Sequence, residues 1–229
     1  MSNRSRKPKE PSALSAVTMS RWPGGPCLEL IQAFNDRYLE CLVRSAQWGD
    51  PRVLPDILCT HQRLWMALES DARKRASQCP FILADLQFGN SDWWKEARSG
   101  QRSGRGKLGG GIFPWIISME IARDVLTIAW HTAREDICLG TLLIGMSVEV
   151  GEIVANFNLH ELWQFADRHH DCVRPRHENQ RTFWGRLLSA ATRDDRATLN
   201  DLHRHAFLLS DAKCGQRAHT QGRAQEPRN

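Results

Sequence analysis

Between Cys27 and Trp48, Leu28, Ile31, Phe34, Tyr38, Leu39, Leu42 and Val43 recur at spacings of three and four, the stripe of an amphipathic helix. Past the turn from Pro51 to Pro55, Ile57, Leu58, Leu64, Trp65 and Leu68 keep that period until residues 69–75, ESDARKR, where charge takes over. Together these stretches predict a helical hairpin. The segment from Cys79 to Trp94 starts at a proline, carries a short apolar run and ends in turn residues. It reads either as a strand or as an extended docking segment. From Ile116 to Cys138 the positions Ile117, Ile121, Val125, Ile128, Ala129 and Thr132 follow a helical period without an internal Gly or Pro, the strongest helical signal in the chain.

Two further helices are marked by their starts. Ser147 precedes a helical run with Glu149 in its first turn, and Asn158 precedes another with Glu161 three positions on, the spacing of a capping box. Short helices joined by tight polar turns and preceded by a third are what a helix-turn-helix-like unit or small bundle requires. The fold class expected is therefore mainly α: a helical bundle with a helix-turn-helix-like C-terminal domain.

Between these parts the stretch 96–111 is nearly free of apolar residues and rich in Gly and Arg, which favours a linker over a packed element. The expected organisation is a basic arm over 1–26, a helical segment over 27–95, this linker, a helical domain over 112–210 and a tail over 211–229. The arm lacks the apolar run of a secretory signal, and no stretch of some 18 uncharged apolar residues spans a bilayer. A cytoplasmic protein without membrane contact is expected.

Composition adds little except by exclusion. With 25% charged and 41% apolar residues the chain is globular in character. Seven scattered cysteines without a CxxC pair fit neither a disulfide framework nor a zinc ribbon and read as small buried hydrophobes. His169, His170, Cys172 and His177 are four potential ligands within nine positions, but no second ligand pair stands at finger spacing, so no metal is expected. Gly104-Arg-Gly-Lys107 has Gln101 where a phosphate loop needs its first glycine and Leu108 after the lysine. No cofactor is expected, and with no nucleophile–base motif such as Gly-x-Ser-x-Gly, no enzymatic activity either.

The net charge of +5 permits an anionic partner. From Arg168 to Arg204 the cations are arginines and histidines with no lysine, a set suited to phosphate and guanine edges. Arg174 and Arg176 fall within it. The same residues, beside Asp167, Asp171, Glu178, Asp194 and Asp195, also read as the solvated faces of two helices. Trp115, Trp130, Trp163 and Trp184 lie on or beside apolar faces, as core or interface anchors.

The run from Val125 to Leu188 resembles the FlhD family of flagellar transcriptional regulators, with a weaker continuation to Ser210. The matching features are the Ala129–Asp136 helix, the turn from Leu143 to Ser147, and Glu149-Val150 followed by Ile153 and Val154. They continue through Leu159–Ala166, the Arg174-x-Arg176 step with Glu178, and the helix from Phe183-Trp184 to Leu188. The resemblance implies a helical homodimer that assembles with an FlhC-like partner subunit and activates transcription. It places the DNA-facing residues at Arg193, Arg196, His203 and Arg204. The long helix carrying Ile117, Ile121, Val125 and Ile128 is expected to supply the dimer interface. The first hundred residues have no counterpart in that family, and the competing expectation is a non-enzymatic interaction or scaffold protein of a bacterial secretion or host-interaction system.

Overall fold

A computed structural model describes residues 26–49, 54–100 and 111–204. The basic arm, the Gly104–Lys107 stretch and the tail lie outside the described residues. The protein is mainly helical, and among the described residues no single helix is long and apolar enough to cross a membrane.

Helix α1 (Pro26–Trp48) buries Ile31, Phe34, Tyr38, Leu39 and Leu42, the stripe its sequence predicts. The hairpin partner is less regular. It is three short helices, α2 (Asp56–Thr60), α3 (Gln62–Met66) and α4 (Ser70–Ser77). The charged stretch after Leu68 does not end the helical region but forms α4. Ala72 and Ala76 sink into the core, and Arg73 donates to Asp36 on α1 at 2.9 Å.

Both readings of the Cys79–Trp94 segment hold in part. Phe81, Ile82, Leu83, Leu86 and Phe88 are fully or nearly fully buried, while Ala84–Asp85 (β1) pairs antiparallel with Arg174–Pro175 (β2). The buried carboxamide of Asn35 fixes this segment by donating to the Phe81 carbonyl and accepting from the Leu83 amide, both at 2.9 Å. Asn90 then caps α5 (Ser91–Arg98). The linker's first residues are thus helical, because Trp93, Trp94 and Ala97 give that helix a buried face.

After the linker comes α6 (Trp115–Glu135), followed by α7 (Ile137–Leu139) and a π-helical turn over Gly140–Ile144. Gly145, at φ 84°, ends that turn in the left-handed region open to glycine. The chain bends by 114° into α8 (Val148–Ala155), which Ser147 caps by accepting from the Val150 amide at 3.2 Å. Asn158 and Glu161 form the reciprocal capping box of α9 (Leu159–His169) as their spacing predicts. Helix α10 (Arg181–Thr192) and a helix over 196–204 (α11) complete the described chain.

The Gly/Arg-rich stretch divides the sequence but not the core. Trp65 packs on Trp184 at 5.5 Å and Trp94 stacks on Phe165 at 4.6 Å, so buried residues from both sides of it form one cluster. Of the cysteines, Cys79 and Cys172 are buried, whereas Cys59 and Cys138 are exposed.

Arg176 lies inside this core. Its guanidinium donates to the carbonyls of Leu143 at 3.1 Å and Ile82 at 3.4 Å and sits over the Phe81 ring. Burial pulls its pKa down to about 10, still far above neutrality, so the group stays charged. Burial also pushes the neighbouring Asp85 carboxyl up. Replacing Arg176 by Ala takes a donor from the Ile82 and Leu143 carbonyls, the second of which keeps the Ile82 amide at 2.9 Å, and removes the cation that faces Asp85. Urea unfolding is expected to show a loss of about 3–5 kcal/mol, whereas the exposed Arg204→Ala stays within about 0.5 kcal/mol of wild type.

Candidate nucleic-acid interface at the carboxy-terminal helices

Helix α10 ends where Arg193 and Asp194 turn the chain, with Asp194 in the left-handed region at φ 55°. Asp195 then starts α11. Its carboxylate accepts from the Thr198 amide at 3.0 Å and from the Thr198 hydroxyl at 2.6 Å, and these bonds hold its pKa below the usual carboxylate range. That charge is engaged at a helix N-terminus.

Around this turn Arg193, Arg196 and Arg204 are exposed. Asp194 is the carboxylate nearest to two cations: Arg196 Nε and Arg75 Nε each approach its Oδ1 at 3.5 Å. Arg75 is further fixed by donating to the Ala191 carbonyl at 2.8 Å. Pairs this exposed contribute at most about 1 kcal/mol, so a phosphate displaces Asp194 from Arg196 at little cost.

The structure removes two residues from the set read in the sequence. Arg176 is not a DNA contact, because its guanidinium is buried against main-chain carbonyls. His203 turns inward: its Nε2 lies 3.2 Å from Cys79 Sγ, and burial drops its pKa to about 4. A neutral imidazole brings no charge to phosphate, and its role is to seat α11 on the buried start of the β1 segment. Arg174 is half-buried on β2, close enough to Glu178 to oppose the upward push of burial on that carboxyl.

The long helix is also reassigned in part. Ile121 and Val125 lie within the chain's own core, 1% and 0% exposed, and are not available to a second copy, since α1, α8 and α9 pack against this helix. Ile117 and Ile128 are half-buried; the exposed apolar residues of α6 are Trp115 and Ile116. Trp184 is a core residue, and Trp130 is half-buried with its indole donating to the Phe157 carbonyl.

The histidine-rich loop serves packing. His169 contacts Phe165 and Trp93 at 4.5 and 5.2 Å, and His177 meets Phe183 at 5.0 Å. Among the described residues no three His, Cys, Asp or Glu side chains converge as a metal site.

One feature escaped the sequence pattern. A groove of about 870 Å³ runs between α1, α6 and α9, with Leu30, Phe34, Ile128 and Trp163 in its lining. Leu30 lies off the α1 stripe, but periodicity does not show that Ile128 and Trp163 come beside it.

Comparison of the chain with known protein families, curated proteins and solved structures finds no match.

The His203 contact makes the seating of α11 pH-dependent. An unfolded imidazole titrates near 6.5 and this one near 4, so protons bind the unfolded state first. The contribution is complete above about pH 6.5 and is lost as the pH falls towards 4. The amide protection factors of residues 196–204, exchange rates taken relative to the base-catalysed rate of free peptide at each pH, are expected to fall on acidification through that window, and His203→Gln flattens the dependence.

Proposed function

We propose that this chain is the DNA-contacting subunit of a transcription-regulating assembly, gripping phosphate through Arg193, Arg196 and Arg204. The observation that carries this reading is the exposure of all three guanidinium groups on one turn and the short helix after it. The nearest carboxylate, Asp194, is itself solvent-facing, and Asp195 is occupied by a helix cap. Arginines so placed exchange weak ion pairs for phosphate oxygens and release counterions from the duplex. The FlhD-like run from Val125 to Leu188 supports the regulatory context and the expectation of a homodimer with a further subunit. Trp115 and Ile116, exposed at the start of α6, are the apolar residues of that helix open to a second copy.

Fluorescence anisotropy of the purified chain on promoter fragments, at about 50 and 200 mM salt, tests the reading. Affinity is expected to fall steeply with salt, and Arg193/Arg196/Arg204→Ala to weaken binding at least about tenfold and flatten the salt slope by about 2–3. Wild-type protein that binds no duplex, with or without cell extract, overturns it.

A second reading, a non-enzymatic interaction or scaffold protein, is favoured by the apolar groove. It expects affinity for a protein that persists at high salt.

A further inference from the structure

The groove between α1, α6 and α9 has a shape and charge that select one kind of occupant. Its α1 wall runs from Cys27 to Arg37 through Leu30 and Phe34, about 15 Å of helix at 1.5 Å per residue. Ile128 and Trp163 form apolar ground on the other elements. Leu30 is 57% exposed and Trp163 45% exposed, so large apolar surface stands in water along a trough of the length of about three helical turns. The lining side chains sit at helical spacing on walls that are themselves helices, an arrangement that accepts the ridge of another helix.

Charge narrows the choice. The two arginines in the lining are already neutralised: Arg37 donates to Glu120 and Asp124, and Arg123 donates to Asp167 through two bonds of 2.7 Å. Glu135 adds a further exposed carboxylate at the edge. With these partners counted, two arginines stand against four carboxylates, Asp124 and Glu135 in the lining and Glu120 and Asp167 bonded from beside it, on a chain whose net charge is +5. This rim repels a phosphate backbone and an anionic lipid surface alike, which separates it from the arginines around α11. It attracts lysine and arginine flanking an apolar stripe.

We propose that this groove docks a cationic amphipathic helix of a partner protein, with apolar side chains at i, i+3 or i+4 and i+7 seated against Leu30, Phe34, Ile128 and Trp163. Asp124 and Glu135 in the lining meet its basic flank. The proposal is independent of DNA binding, because it uses different residues and the opposite sign of charge.

The test is a titration of the full chain with a labelled amphipathic Leu/Lys peptide of about 15 residues, beside a scrambled Leu/Lys peptide and an amphipathic Leu/Glu peptide. The amphipathic cationic peptide is expected to bind at least about tenfold more tightly than either control. Leu30→Lys weakens it by about tenfold or more, and Glu135→Lys by about threefold, the second effect shrinking at high salt. Both positions are exposed, so both variants keep the wild-type circular dichroism, and both keep wild-type DNA affinity.

Equal binding of the scrambled peptide, or an affinity unmoved by Leu30→Lys, overturns the proposal. Two further results overturn it by naming another occupant. Peptide binding that appears only after residues 2–25 are removed gives the groove to the chain's own amino-terminal segment. A concentration-dependent dimer in sedimentation that Leu30→Lys dissolves gives it to a second copy.

Discussion

A charged group is costly inside a protein, and this fold is arranged around one. The Arg176 guanidinium reaches the carbonyls of Ile82 and Leu143, while its main-chain amide donates to Leu83 at 2.7 Å and its carbonyl accepts from the Trp184 indole at 2.9 Å. One residue therefore ties together the extended segment around β1, the end of the π-helical turn, and the start of α10. Gly145 belongs to the same constraint: a Cβ there would stand 2.7 Å from Arg176 Nη2, so the turn is bare where the guanidinium needs room. The guanidinium itself finds these acceptors only in this arrangement, and burial makes failure to satisfy it expensive.

What was legible in the sequence divides along the range of the forces involved. Ser147 and Asn158 cap their helices through atoms three residues away, so a local pattern suffices to find them. The α6 stripe was equally plain, yet periodicity says that a face is covered without saying by what. Ile121 and Val125 are covered by the chain itself. Helix α4 was hidden because its charged sequence has few apolar residues, and it is held by two buried alanines and by Arg73 reaching back to Asp36. Arg176 and His203 looked like surface cations because their partners, Ile82, Leu143 and Cys79, lie far away in sequence. For the candidate site, Arg193, Arg196 and Arg204 were nameable in advance. The groove was not, since Leu30 of α1, Ile128 of α6 and Trp163 of α9 come together only through tertiary packing.

Two surfaces of opposite character result. Around α11, arginines stand beside aspartates that are weakly paired or engaged in a helix cap. Along the groove between α1 and α6, Arg37 and Arg123 are tied to carboxylates, beside the exposed Glu135 and the apolar Leu30. Under the two proposals made above, one small chain holds two unlike partners without competition between them, since a ligand suited to either surface is repelled by the other.

The pairing of β1 with β2 is only two residues long, but it has a consequence for how the chain comes to be folded. The Arg176–Ile82 bond closes over 94 positions, and the Trp65–Trp184 contact closes over a still longer stretch. On a ribosome, the first half of the protein emerges well before these partners do. Helix α1 and the α4 that Arg73 ties to it at Asp36 need only the first part of the chain, but Asn35 then holds a segment whose other side has yet to be made. Loop closure of this length is entropically expensive and slow relative to helix formation. The apolar run from Phe81 to Phe88 therefore waits uncovered until the partners from Leu143 to Phe183 emerge, and is a part of the nascent chain where a chaperone has something to hold.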